Sequence, residues 1–348
     1  MDIVDINVNI LKYIPDEIKR HVNTITNITF WNQLDKNNIN LKNTEIVNKY
    51  TKFLNQKNTQ IITKYIEQKI NIVPILYQLN DDDIKLLIKK SFEYVNIYML
   101  KILCNYIIKL IDHNTLIKYM TNTCKYNHIN VVKYLHKEIG LTKENFRQSN
   151  YNKMCGWACE NGYINVSKYL YKHVGFKKQD FQSNHNKACI FTCESGHVNV
   201  IKFLHKIIRL SKRDFQSKNN GACRKACTNG HINVVKYLHK EVQLDYVDFQ
   251  SHGNEACISA CESGYIDIVK YLHKEIDLTK EDFRSNNNEA CILACENGCI
   301  DIVKYLYEEI GLTKEDFQEN NNEAHRYARE NGNTDIVNYL NDVVGIFK

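Results

Sequence analysis

The sequence predicts an all-α chain in which pairs of helices stack side by side into a solenoid. Leucines at Leu135, Leu170, Leu204, Leu238, Leu272, Leu306 and Leu340 recur at a step of 35 residues once and 34 thereafter. Glycines at Gly162, Gly196, Gly230, Gly264, Gly298 and Gly332 keep the 34-residue step, and so do Phe181, Phe215, Phe249, Phe283 and Phe317. One extra residue between Phe146 and Met154 accounts for the single 35. Three independent markers in one register define a repeat, and a repeat overrides any domain count made from the 348-residue length.

Each unit contains two helices. In the stretch Glu289 to Gly298, the small apolar residues Cys291, Ala294 and Cys295 share one helical face, which predicts a short inner helix. Gly298 supplies the positive φ that ends it, and Asn127 takes that place in the first clear unit because Asn tolerates the left-handed region. The following segment, Ile300 to Leu306, has apolar residues at helical spacing and predicts a second, antiparallel helix. Neither helix buries its apolar face alone, so the units stack and the core runs along the array.

The order Ala-Cys-x-x-Gly-[His/Tyr]-[Ile/Val]-x-[Ile/Val]-Val-Lys-Tyr-Leu resembles the ankyrin repeat, including the histidine after the turn at His128, His197 and His231. Tetratricopeptide repeats share the period but carry a Pro near the unit's end, and these units have none. The resemblance covers residues 116 to 344 as seven helix pairs and implies an α-solenoid of stacked ankyrin-type pairs. The repeat dialect is similar to that of ankyrin proteins of large DNA viruses. Two departures stand out. The family's Thr-Pro-Leu-His opening gives way to forms such as Glu289-Ala290-Cys291-Ile292, and its β-hairpin to segments such as Ile310 to Phe317. Thr142, Ser211, Asp245, Thr279 and Thr313 each precede an Asn or Asp by three residues, which predicts a capped helical turn where the family has a β-finger.

Three regions follow: a helical N-terminal segment at 1–58, degenerate helical repeats at 59–115, and the array at 116–348 with its last pair capping it. The degenerate repeats rest on Ile62 to Ile66, which echoes the Val-x-Lys-Tyr-Leu element. The run Ile10 to Ile18, with Leu11 and Pro15-Asp16-Glu17-Ile18, resembles an F-box opening. That resemblance implies an alternative role as a substrate-recruiting adaptor docked on ubiquitin-ligase core components.

The bulk chemistry excludes several classes. A net charge of +6 falls short of the strongly basic balance of a dedicated nucleic-acid domain. The N-terminus, Met1 to Asp5, is acidic where a signal peptide is basic, and the most apolar stretch, Tyr94 to Ile111, is broken by Asn96, Lys101, Asn105 and Lys109. The expectation is no membrane partner and an intracellular, cytoplasmic location, which is the host cytoplasm if the chain is viral. Thirteen cysteines in a long, regularly helical chain read as reduced thiols rather than a secreted disulfide scaffold.

The candidate sites are periodic. Five Cys-x3-Cys pairs, Cys155/Cys159 through Cys291/Cys295, fall at core positions, where Cys serves as a small apolar filler rather than a metal ligand. His136, His205, His239 and His273 form a second ladder, with Tyr171 and Tyr307 at the same place, read as inter-repeat packing whose polar tips reach partners. Lys133, Lys168, Lys202, Lys236, Lys270 and Lys304, with Lys137, Lys172, Lys206, Lys240 and Lys274 one turn on, form a basic stripe. Glu138, Glu241, Glu275, Glu308 and Glu309 interrupt it, so it reads as a solvated outer face rather than a nucleic-acid track. Catalysis requires different residues in different roles, whereas these recur identically, and no phosphate loop, zincin or nucleophile-elbow motif is present. The chain is therefore expected to be no enzyme and to need no cofactor and no metal.

Variation concentrates on the inner helix. At about 100° per residue, Leu293 points nearly opposite Cys291, Ala294 and Cys295. The equivalent positions are Trp157, Phe191, Lys225, Ser259, Leu293 and Tyr327, a changing row on a monotonous frame. That row, with the turn Asn286-Asn287-Asn288, is the predicted contact surface for a protein partner on the concave face.

Overall fold

A computed structural model describes residues 80–147 and 153–346. The proposed F-box-like element and all of the segment at 1–58 lie outside the described residues, as does the first part of the proposed degenerate repeats. Every regular element among the described residues is helical, with no strand.

The chain divides into two compact units. The first holds residues 80–123 and 128–141. Its helices are Asp81–Glu93, Ile97–Ile102, Cys104–Leu110, most of His113–Lys125, and Ile129–Lys137. Leu87, Ile88, Leu100, Leu103, Ile107, Met120, Val131 and Leu135 are buried. Asn96 caps the second helix by accepting from the Met99 N–H at 3.1 Å. The Tyr134 hydroxyl donates to the Leu100 carbonyl at 2.5 Å, so its ring is buried without an orphaned polar tip.

The second unit holds residues 124–127 and 142–346 and carries six successive helix pairs. The inner helices are Lys153–Glu160, Ser183–Glu194, Ser217–Thr228, Ser251–Glu262, Ser285–Glu296 and Glu319–Glu330, and each packs on the next. The outer helices begin at Ile164, Val198, Ile232, Ile266, Ile300 and Thr334. Three of them widen into a π-helical last turn, over Leu170–Val174, Phe203–Ile207 and Leu340–Val344.

The predicted capped turns are present. Short helices at Lys178–Phe181, Lys212–Phe215, Tyr246–Phe249, Lys280–Phe283 and Lys314–Phe317 sit where β-fingers would project, and the phenylalanine ending each is wholly buried. Ser211, Asp245, Thr279 and Thr313 form capping boxes with the aspartate three residues later. Each of those aspartates also reaches the preceding repeat. Gln182, Gln216 and Gln250 donate from Nε2 to Asp214, Asp248 and Asp282 at 2.7, 2.7 and 2.5 Å, and Arg284 pairs with Asp316 at 2.9 Å. Lys143–Asp180 at 2.6 Å and Lys178–Asp214 at 3.5 Å extend the ladder toward the N-terminus. A buried carboxylate thus closes one helix and ties two repeats together.

A feature the sequence did not reveal opens the last five inner helices. Three consecutive residues adopt left-handed φ and ψ: Asn184–His185–Asn186, Lys218–Asn219–Asn220, His252–Gly253–Asn254, Asn286–Asn287–Asn288 and Asn320–Asn321–Asn322. Left-handed backbone costs an ordinary L-residue about 1–2 kcal/mol, and Asn and Gly are the residues that tolerate it. Asparagine recurs in these turns for a backbone reason.

The glycine turns after the first three inner helices also have a double cause. Gly196 has φ +76, and a Cβ there would meet the His231 ring of the next repeat at 2.6 Å. The same relation joins Gly162 to His197 and Gly230 to Tyr265.

Candidate functional site

The Cys-x3-Cys pairs are wholly buried within the stack. Burial pushes the Cys223 thiol up to about 12. Cys223 donates to the Asp248 carbonyl at 3.4 Å, and Cys257 and Cys291 donate to those of Asp282 and Asp316 at 3.7 Å each. A protonated thiol held this way is a weak donor in a packed core, which agrees with the filler role read from the sequence.

In three members of the histidine ladder one ring nitrogen is engaged within the stack. Nδ1 of His205, His239 and His273 lies 3.0, 3.0 and 2.9 Å from the hydroxyl of Tyr237, Tyr271 and Tyr305 in the following repeat. A neutral ring accepts that hydroxyl proton. Burial lowers all three histidine pKa values, which favours the neutral form. Where tyrosine takes the position, Tyr307 packs edge-on against Phe317 and Tyr339.

The lysine stripe is likewise engaged between repeats. Lys206, Lys240 and Lys274 pair with Glu241, Glu275 and Glu309 at 2.9, 3.7 and 3.4 Å. The ammonium groups of Lys202 and Lys206 stand 5.9 and 6.0 Å from the Tyr237 ring, and Lys236 and Lys240 frame Tyr271 in the same way. These cations contact glutamates and tyrosines of the next repeat while staying exposed, so acidic and basic groups alternate along the outer face.

The inner-helix row is the least uniform surface of the array. Trp157, Phe191, Lys225, Leu293 and Tyr327 are half-buried, and Ser259 is buried. Their neighbours are polar. Lys125 lies over the Trp157 ring and Lys187 over Phe191 at 5.9 and 4.4 Å, Lys225 pairs with Glu194 at 3.2 Å, and the Tyr327 hydroxyl donates to Glu323 at 3.0 Å. Large side chains that keep a partly exposed side thus recur at one position of successive inner helices.

Of the asparagine turn, Asn286 and Asn287 are exposed but Asn288 is buried. Asn288 is therefore withdrawn from the contact surface: the left-handed turn points its side chain inward. Sequence reasoning passed over a second column on the same face. One helical turn after each member of the row come Glu160, Glu194, Thr228, Glu262, Glu296 and Glu330. Their 34-residue step was the available signal, but a surface glutamate ordinarily reads as solvation.

No helix among the described residues is long and apolar enough to cross a membrane. A family model described as ankyrin repeats, in three copies, matches residues 190–282. No curated protein matches the chain.

Proposed function

We propose that this chain is a non-enzymatic scaffold that grips a protein partner along its inner helices, a reading supported by the match of residues 190–282 to ankyrin repeats. The observation that carries the reading is the row Trp157, Phe191, Lys225, Leu293 and Tyr327, half-buried on successive inner helices whose other faces are fixed in the core. The alternatives on this unit are already occupied. The outer lysines are engaged with the next repeat's glutamates and tyrosines, the histidines with tyrosine hydroxyls, and the thiols with carbonyls. The inner face is where side-chain identity changes while the frame stays constant, as selection of one partner requires.

Replacing Trp157 and Phe191 together by alanine in the full chain, then capturing partners from the protein's own cell, tests this. The expected result is loss of the partner recovered with the unmodified chain, while the thermal midpoint falls by only a few degrees. Undiminished capture would exclude these two side chains from the interface.

A further inference from the structure

The inner face carries charge as well as apolar bulk. Glu160, Glu194, Glu262, Glu296 and Glu330 stand at equivalent positions of five inner helices, with Thr228 in the sixth. In an α-helix, residues three apart share a face. Each of these therefore flanks a member of the row, as Glu160 flanks Trp157, Glu296 flanks Leu293 and Glu330 flanks Tyr327.

Their pairing divides them. Glu194 is taken by Lys225. Among the described residues, Glu262 and Glu296 enter no ion pair, and Glu330 has one, to Arg326 at 3.9 Å, whose guanidinium also lies over the Tyr327 ring at 5.0 Å. The contrast with the outer face is sharp, because there Glu241, Glu275 and Glu309 each meet a lysine. The acidic column opposes the chain's net charge of +6. At physiological ionic strength, screening confines such effects to about 8 Å, so the local column decides what approaches this face.

We propose that the inner face between Ser259 and Tyr327 receives an extended, cationic peptide segment, its basic side chains on Glu262, Glu296 and Glu330 and apolar ones against Leu293 and Tyr327. The inference rests on the inner-face reading above and adds the chemistry of the partner. Packed helices lie about 8–10 Å apart, and a chain in the extended polyproline II conformation advances about 3.1 Å per residue with about three residues per turn, so every third side chain returns to the same side. One basic residue about every third position then meets one glutamate per repeat. Charge complementarity selects the segment and sets its rate of approach, while the half-buried row supplies the apolar contact.

The test uses the full chain and fluorescence anisotropy with a labelled (Lys-Leu-Ser)4 peptide, beside its Gln-Leu-Ser and Glu-Leu-Ser counterparts. The expected order is lysine first, glutamine weaker and glutamate weakest, with lysine-peptide binding falling as salt is raised. The triple variant Glu262→Gln, Glu296→Gln, Glu330→Gln should weaken the lysine peptide by about tenfold. The equal-charge control Asp267→Asn, Asp301→Asn, Asp335→Asn, on the outer helices, should leave it within about twofold. If the triple variant fails to fold, the peptide order and its salt dependence in the unmodified chain decide alone. Equal binding of the three peptides, or equal loss in both triple variants, overturns the inference. If the cellular partner still crosslinks to Leu293 in that event, only the cationic assignment fails; if it does not, the inner-face reading fails with it.

Discussion

His231 of one repeat seats its ring over Gly196 of the repeat before, so close that a Cβ on that glycine would stand 2.6 Å from Nδ1. The same ring donates from Nε2 to the Glu194 carbonyl at 2.9 Å, which satisfies an acceptor left open at the inner helix's end. One histidine therefore caps its neighbour's helix and fixes the spacing of two units.

Gly196→Ala should consequently destabilise the chain by about 2–3 kcal/mol, because it adds a steric conflict to an unfavourable positive φ. Gly332 has φ +74, and a Cβ there would meet nothing within 4 Å, so Gly332→Ala should cost only about 1 kcal/mol. Denaturant unfolding of the two variants separates the contributions; equal losses would show that the ring contact is unimportant.

The left-handed turns make a second comparison. Asn287 is exposed at φ 57 and ψ 49, so a substitution there reports on backbone preference with little packing. Asn287→Ala should cost about 1 kcal/mol, and Asn287→Gly should stay within about 0.5 kcal/mol of the unmodified chain. A Gly variant as damaged as the Ala variant would point to a side-chain role.

How much of this was legible beforehand follows from the kind of constraint involved. The helix pairs, the glycine turns and the capped turns at Ser211, Asp245, Thr279 and Thr313 depend on local spacing, which survives in the sequence. The destination of the His239 tip does not: it lies on Tyr271, 32 residues on, and only the stacking geometry brings the two together. The asparagine turn misled for a related reason, since an Asn triplet signals equally a polar contact or left-handed backbone. The inner-face row at Trp157, Phe191, Leu293 and Tyr327 followed from helical phase alone, whereas the Glu262–Glu296–Glu330 column became distinct only once the outer glutamates were seen to be paired.

Acid should act on the array through its buried aspartates. Burial alone would raise the Asp282 pKa, but the Thr279 N–H, the Gln250 amide, the Tyr246 hydroxyl and the Thr279 hydroxyl outweigh it and hold the carboxyl below its ordinary 3.8; Asp214 and Asp316 behave alike. A lowered folded pKa gives stability that is full above the unfolded value and lost as pH falls through the folded one. Thermal unfolding should show a steep loss beginning below about pH 4. Asp282→Ala should cost about 2 kcal/mol at neutral pH and make that acid limb shallower. An unchanged limb would mean that other groups set it.

A separate, gentler limb belongs to the histidines. With folded pKa values below 6.5, His205, His239 and His273 bind protons more readily when unfolded, so stability declines as pH drops from 6.5 toward their folded values. Tyr307 shows that tyrosine fits this position. Replacing all three histidines by tyrosine should cost less than about 1 kcal/mol per site at pH 7.5 and reduce the loss between pH 7 and 5. A triple variant that keeps the full loss would place the titration elsewhere.

The central claim is that the inner helices are the face that meets the partner. Site-specific photocrosslinking tests it most directly, with a photoreactive residue placed in turn at Phe191, at Leu293 and at the outer-helix positions Lys236 and Lys270, in the full chain in its own cell. One partner should crosslink from Phe191 and Leu293 and not from Lys236 and Lys270; a partner captured from the outer positions and not from the inner ones would contradict an inner-face interface.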